Sequence, residues 1–190
     1  DGFMFIKNNR PILVLINMAG VVSLFGISYL ILMPIFANDI LRVGVKGLGL
    51  LMSSAGLGAL IGALALARLG DFKHKGKLLI LSSAIFSISL ILFSLSKIYL
   101  LSLIALIFVG ASSVTAVALI NTLLQMRVPD EFRGRVMGLF LLTFVGITPF
   151  GNLIAGSLAQ VAGAAFAVMI GGIICTAYFI VINIACPQIR

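Results

Sequence analysis

Five stretches without a charged side chain govern what this sequence can fold into: Pro11–Asn38, Gly47–Ala67, Leu78–Ser96, Ile98–Met126 and Val136–Ile189. A helix crossing about 30 Å of hydrocarbon needs roughly 20 apolar residues, so each of the first four fits one crossing. The fifth, at ~1.5 Å per helical residue, is about twice too long for one. It is expected to fold back, and the small, polar segment Gly156-Ser157-Leu158-Ala159-Gln160-Val161-Ala162-Gly163 is the natural turn. Six helices result, over 11–36, 47–69, 78–96, 99–125, 135–158 and 164–186. The runs are continuous, whereas strands of a membrane barrel alternate in polarity over ~10-residue segments. The fold class is therefore an all-α membrane protein, six transmembrane helices in one domain over residues 1–190.

Composition agrees. The chain is 62% apolar and 9% charged, against about 45–50% and ~25% in a soluble domain, too few charges to cover a water-facing surface. That excludes an ordinary soluble enzyme, a disordered tail and a disulfide-stapled secreted module. No charged, then short apolar, then small-residue pattern opens the chain, so no signal peptide is expected. A first residue other than Met suggests a fragment or a processed chain.

The net charge of +8 would suggest nucleic-acid binding in a soluble protein. Here the basic residues sort by loop. Lys7, Arg10, Arg68, Lys73, Lys75, Lys77, Arg127, Arg133, Arg135 and Arg190 collect on one side, and only Arg42, Lys46 and Lys97 on the other. Basic loops stay cytoplasmic, so both termini are expected there. The basic excess then serves the bilayer, as a partner of anionic headgroups, and no nucleic acid is expected.

No Asp, Glu, Lys, Arg or His lies well inside an expected span. Intramembrane ionisable groups mark ion and proton paths, so a coupling acid would lie elsewhere. The second span is rich in small residues. Gly58 and Gly62 form GxxxG, and Ala55, Ala59, Ala63 and Ala67 recur every four residues. Such faces let helices approach closely in lipid, as a static contact or a sliding one. Gly47-Leu48-Gly49 lacks the third glycine of a nucleotide-binding loop, with Met52 in its place. In the fifth span, Pro149 removes a backbone donor between Gly146 and Gly151, which marks a bend, a cavity wall or a packing kink.

The spans' polar residues are mild. Asn17, Ser23, Ser28 and Tyr29 lie in the first, Ser53 in the second, and Ser112, Ser113, Thr115, Asn121, Thr122 and Gln125 in the fourth. Thr143, Thr148 and Asn152 lie in the fifth, and the third carries Ser82, Ser83, Ser87, Ser89 and Ser94. Serines often bond back to their own helix. An uncharged, polar wall suits a large amphipathic solute better than a phosphate or free ion. Cys175 and Cys186 share the sixth helix, ~16 Å apart along its axis, too far for a disulfide between them. His74 stands without a second His or Cys nearby, so no metal site is expected. No nucleophile–base–acid set or paired carboxylate is visible, so neither an enzyme nor a cofactor is expected.

Two loops are the most specific segments. One reads Ala67-Arg68-Leu69-Gly70-Asp71-Phe72-Lys73-His74-Lys75-Gly76-Lys77, the other Arg127-Val128-Pro129-Asp130-Glu131-Phe132-Arg133-Gly134-Arg135-Val136-Met137-Gly138. Pro129 can open a helix with Asp130 and Glu131 in its first turn, at the positive dipole end. Six spans, an acid-and-basic loop after the second, and Pro-Asp-Glu-x-Arg-Gly-Arg-Val-Met-Gly before a Gly/Pro-rich fifth span resemble one half of a major facilitator superfamily transporter. The resemblance is to the C-terminal six helices of bacterial drug and siderophore exporters. The loop after the second span matches the family's acid at Asp71 but has Ala67 for the usual Gly and Phe72 for the Arg.

The resemblance implies a secondary active transporter of the bacterial inner membrane, of the antiporter type, effluxing a small amphipathic molecule by rocker-switch alternating access. Its partners would be an N-terminal six-helix half and the small-molecule substrate. Spans one, two, four and five would face the cavity, with three and six behind. Cavity candidates are Asn17, Ser23, Tyr29, Ser53, Ser113, Asn121, Thr143, Thr148 and Asn152. Asp71, Lys73, Lys75, Pro129, Asp130, Glu131, Arg133, Gly134 and Arg135 would serve the cytoplasmic gate, and Gly58, Gly62, Gly146, Pro149 and Gly151 hinge or packing contacts. The alternatives are a self-contained six-span protein acting as a homodimeric half-transporter or scaffold, and an intramembrane enzyme or lipid-handling protein relying on Asn17, Asn121 and Asn152.

The charge sorting makes a direct prediction. Single cysteines introduced near Arg42 should react with a membrane-impermeant maleimide added outside intact cells, and those near Lys75 and Arg133 should be spared. The opposite pattern would invert the topology.

Overall fold

The computed structural model describes residues 2–70 and 73–185. Among them are six helices long and apolar enough to cross a membrane: Arg10–Ile40, Gly44–Leu69, Lys75–Leu95, Tyr99–Arg127, Asp130–Ala162 and Ala164–Ala185. A short helix, Gly2–Asn8, precedes them. The expected all-α architecture is present, with most spans longer than the charge-free runs because their end turns carry the basic residues. The 29-residue fourth span is about 43 Å long at ~1.5 Å per residue, so it crosses with tilt to spare.

The fold-back within the fifth run differs from expectation in kind as well as in length. The segment from Gly156 is not an eight-residue turn: helix continues to Ala162, and the reversal is made at Gly163 alone, with φ +91°. Side chains rarely adopt that conformation, and glycine adopts it without steric cost. Ser157 to Ala162 stay helical because a backbone leaving the helix inside hydrocarbon would strand its amides.

The first span is less regular than its sequence suggests. Two turns widen to i→i+5 hydrogen bonding, at Val22–Gly26 and Phe36–Ile40, with Ile27 N donating to Val22 O at 2.9 Å and Leu41 N to Phe36 O at 2.8 Å. Pro34 lies inside the helix just before the second of these turns and removes one donor. The fifth span breaks at Ile147, between Asp130–Gly146 and Thr148–Ala162. Pro149 therefore sits in the first turn of a new helical segment, where its missing N–H costs nothing.

The core lies between the third, fourth, sixth and first spans, around Leu79, Leu90, Phe93, Leu106, Val109, Leu119, Ile120 and Phe36, all buried. Phe36 stacks on Phe93 with ring centroids 4.5 Å apart. The second and fifth spans flank this core and stay largely exposed. The third span's serines are buried, and Ser82, Ser87 and Ser94 donate to carbonyls three residues back in their own helix. That span is packing, not a polar wall. Cys175 is a buried free thiol, and Cys186 lies outside the described residues.

GxxxG joins the second span to the fourth. Gly58 lies against the Ile107 carbonyl and Gly62 against that of Ala111, while Gly110 reciprocates on Ala55. Any Cβ at these glycines would collide with backbone. Gly49 and Gly56, on the same helix, face open space. Gly58→Val should therefore destabilise the bundle by about 1–3 kcal/mol, read as a lowered melting temperature in detergent, whereas Gly56→Ala should not lower it.

Candidate functional site

A cavity of about 580 Å³ opens between the first, fourth and fifth spans. Ile27, Tyr29 and Leu30 line it from the first span, Ser113, Val114, Val117, Ala118, Asn121 and Thr122 from the fourth, and Phe144 from the fifth. Phe86 of the third span reaches its floor. None of these residues carries a charge, and the polar groups are four: Tyr29, Ser113, Asn121 and Thr122.

Each is held by its helix. Tyr29 follows the irregular turn of the first span and is buried, its ring edge-on to Phe93 at 6.3 Å. Ser113 Oγ donates to Gly110 O at 3.0 Å and Thr122 Oγ1 to Ala118 O at 2.9 Å. With their protons used, these hydroxyls present lone pairs. Asn121 Oδ1 accepts from Gln125 Nε2 one turn on, which leaves the Asn121 amide NH2 as a donor. The wall thus offers a donor, acceptors and three aromatic rings without a formal charge. It can hold a neutral or amphipathic molecule by hydrogen bonds and apolar contact; it has nothing to neutralise an anion.

Of the nine sequence-derived cavity candidates, the structure brings Tyr29, Ser113 and Asn121 together. Thr122 joins them; it was visible as a polar residue one position from Asn121. Ser23 and Thr148 face each other instead. Ser23 Oγ lies 2.8 Å from Thr148 Oγ1 and donates to Phe144 O at 2.5 Å, while Thr148 Oγ1 donates to the same carbonyl at 2.9 Å. This cluster bolts the widened turn of the first span to the break in the fifth and sets the position of Phe144 in the cavity wall. Thr143 packs its methyl toward Gly20. Asn17 and Ser53 are exposed and Asn152 half-buried, none of them lining this cavity. Gly151 lies tight against Leu24 O and Ser28, whereas Gly146 and Pro149 are exposed.

The second span does not line this cavity. It borders a neighbouring one of about 400 Å³, where Ala63, Leu66, Ala67 and Gly70 meet Val114, Ala118 and Thr122. Lys75, the first residue of the third span, enters that space, its Nζ 3.6 Å from Met126 Sδ. Asp71 lies outside the described residues, and Lys73 is exposed. At the other loop, Pro129 caps the fifth span with Asp130 and Glu131 in the first turn. Arg133 pairs with Asp130 at 2.6 Å and reaches Gln125 O at 3.4 Å, while Gly134 is exposed. Phe5 of the N-terminal helix stacks on Phe132 at 4.6 Å, and Arg135 lies 6.0 Å from the same ring. Among the described residues no group of His, Cys, Asp or Glu could hold a metal.

Comparison with known proteins gives a consistent picture. A family model described as a transmembrane secretion effector matches residues 1–190. The enterobactin exporter EntS of Shigella flexneri is 28% identical over 180 residues, covering 91% of this chain and 42% of its own length. The enterobactin exporter EntS of Escherichia coli O1:K1 / APEC is 27% identical over 180 residues, 91% of this chain and 43% of that protein. The chain thus spans about two fifths of the length of these relatives. No solved structure gives a significant match.

The Ser23 cluster predicts an asymmetry between two buried or half-buried serines. Ser23→Ala should cost about 0.6 kcal/mol, and at most ~1.7, the range for hydrogen bonds between membrane helices. Ser113→Ala, whose hydroxyl bonds only its own helix, should change stability little. Unfolding in mixed micelles separates the two.

Proposed function

This chain belongs to the transmembrane secretion effector family of the major facilitator superfamily, multi-pass membrane transporters rather than enzymes, and from that premise we propose that it forms the C-terminal six-helix half of a twelve-helix exporter. The observation that carries the reading is the open, uncharged cavity between the first, fourth and fifth spans, with Tyr29, Ser113, Asn121 and Thr122 on its wall. A second bundle facing the exposed second and fifth spans would close it. Rocking of two such halves exposes a central site to each side of the membrane in turn.

The cargo is a small amphipathic molecule, of the drug or siderophore kind, moved outward across the bacterial inner membrane. The naming of two relatives as enterobactin exporters supports the siderophore class. The neutral wall is suited to the apolar and hydrogen-bonding parts of such a molecule. Proton or ion coupling, with antiport, is assigned to the other half, because the spans here carry no acid at depth. The sorting of basic loops supports cytoplasmic termini. Asp71, Lys73, Lys75 and the Pro129–Arg135 turn would then lie at the cytoplasmic gate.

The test is efflux from vesicles. The isolated chain should export nothing, and co-expression with an N-terminal half should restore transport. In the restored complex, Asn121→Ala and Tyr29→Phe should each raise the apparent KM for a siderophore-type cargo about threefold to tenfold, the loss of one net hydrogen bond. Transport by the isolated chain as a homodimer would replace this reading with the self-contained half-transporter.

A further inference from the structure

We propose that a groove between the second, third and fourth spans is a binding site for one anionic phospholipid. The groove holds about 230 Å³. One rim is Ile61, Ala65 and Leu69 of the second span, and the other is Leu78, Leu81 and Ile85 of the third, with the fourth span as floor. Three hydroxyls border it, and all are spent on their own helices: Ser82 on Leu79 O at 3.0 Å, Ser112 on Phe108 O at 2.5 Å and Thr115 on Ala111 O at 2.8 Å. Chemically the groove is hydrocarbon. From Ile61 to Leu69 it runs about 12 Å along the helix, close to one leaflet of a ~30 Å hydrocarbon core. That length and chemistry suit the headgroup-proximal half of an acyl chain.

Charge at one end selects the headgroup. Helical neighbours three, four and seven positions apart share a face. Arg68 lies three residues after Ala65 and seven after Ile61, so the second-span rim ends in a guanidinium. Lys77 lies four residues before Leu81, so the third-span rim ends in an ammonium. Both are exposed, and Lys73 is exposed in the turn between them. The opposite end of the groove, at Ile61, Ile85 and Phe108, has no charged residue. A phosphate diester with net negative charge therefore completes the site at its loop end, while its chain fills the groove. The site lies on the outer side of the contact between the second and fourth spans and goes beyond the transport reading, since it asks only for the chain in a bilayer.

Native mass spectrometry of the full chain released from nanodiscs tests it, with dioleoyl phosphatidylglycerol and dioleoyl phosphatidylcholine as competing probes. Wild type should retain phosphatidylglycerol in preference. The double variant Arg68→Gln/Lys77→Gln should lose about fivefold of that preference for each residue, with phosphatidylcholine retention unchanged. Ala65→Phe, which fills the groove and keeps both cations, should weaken retention of both lipids and leave their ratio intact. The proposal is overturned if the preference survives the double variant, if Ala65→Phe leaves both lipids bound as before, or if the groove proves covered by a second copy of the chain. Transport is not read in this experiment, so its failure leaves the exporter reading standing.

Discussion

Inside hydrocarbon an amide that leaves its helix has no water to turn to, and each unsatisfied group costs several kcal/mol. The irregular parts of this chain are arranged around that constraint. Where the first span loosens, bonding shifts to i→i+5 and the ladder continues. Where the fifth span breaks before Pro149, the hydroxyls of Ser23 and Thr148 converge on the Phe144 carbonyl. Where the chain must reverse inside an uncharged run of 54 residues, a single glycine does it. Most polar side chains in the spans are spent the same way, on backbone. What the cavity between the first, fourth and fifth spans leaves unspent is short: the Tyr29 hydroxyl, the Asn121 amide and the lone pairs of Ser113 and Thr122.

That constraint also explains which parts were legible in the sequence. A membrane crossing is written locally, as twenty or so residues without charge, so the six spans and their order could be read directly. The GxxxG of the second span could be read as a close contact, but not its partner at Gly110 of the fourth, because no local signal links residues so far apart. The Ser23–Thr148 cluster was invisible for the same reason: both residues read equally well as cavity polar groups, and only their separation of 125 positions closed to 2.8 Å distinguishes them. Pro34 was a usable signal for irregularity in the first span, whereas the widened turn at Val22–Gly26 has none. The stacking of Phe5 on Phe132 lay outside the charge-free runs on which the reading was built.

The interior and the ends of the bundle have divided their chemistry. Described charges sit at span ends and loops, and the cavity is neutral. A neutral wall discriminates by shape and by hydrogen bonds, which are weak individually and tolerant of related molecules. A charged wall would discriminate sharply but would bind its own desolvation cost into every cycle. The wall lined by Tyr29, Ser113, Asn121 and Thr122, which carries no formal charge, has the first character.

The loop ends carry the complementary half of this division. Arg68 and Lys77 terminate two helical rims, and Arg133 is drawn into an ion pair with Asp130 that also reaches the Gln125 carbonyl. Gln125 in turn bonds Asn121 in the cavity wall. A continuous set of contacts therefore runs from the exposed turn at Pro129 to a residue that a solute would touch. The uncharged site and the charged loops are separate in chemistry, and along the fourth span only about one helical turn, from Asn121 to Gln125, lies between them.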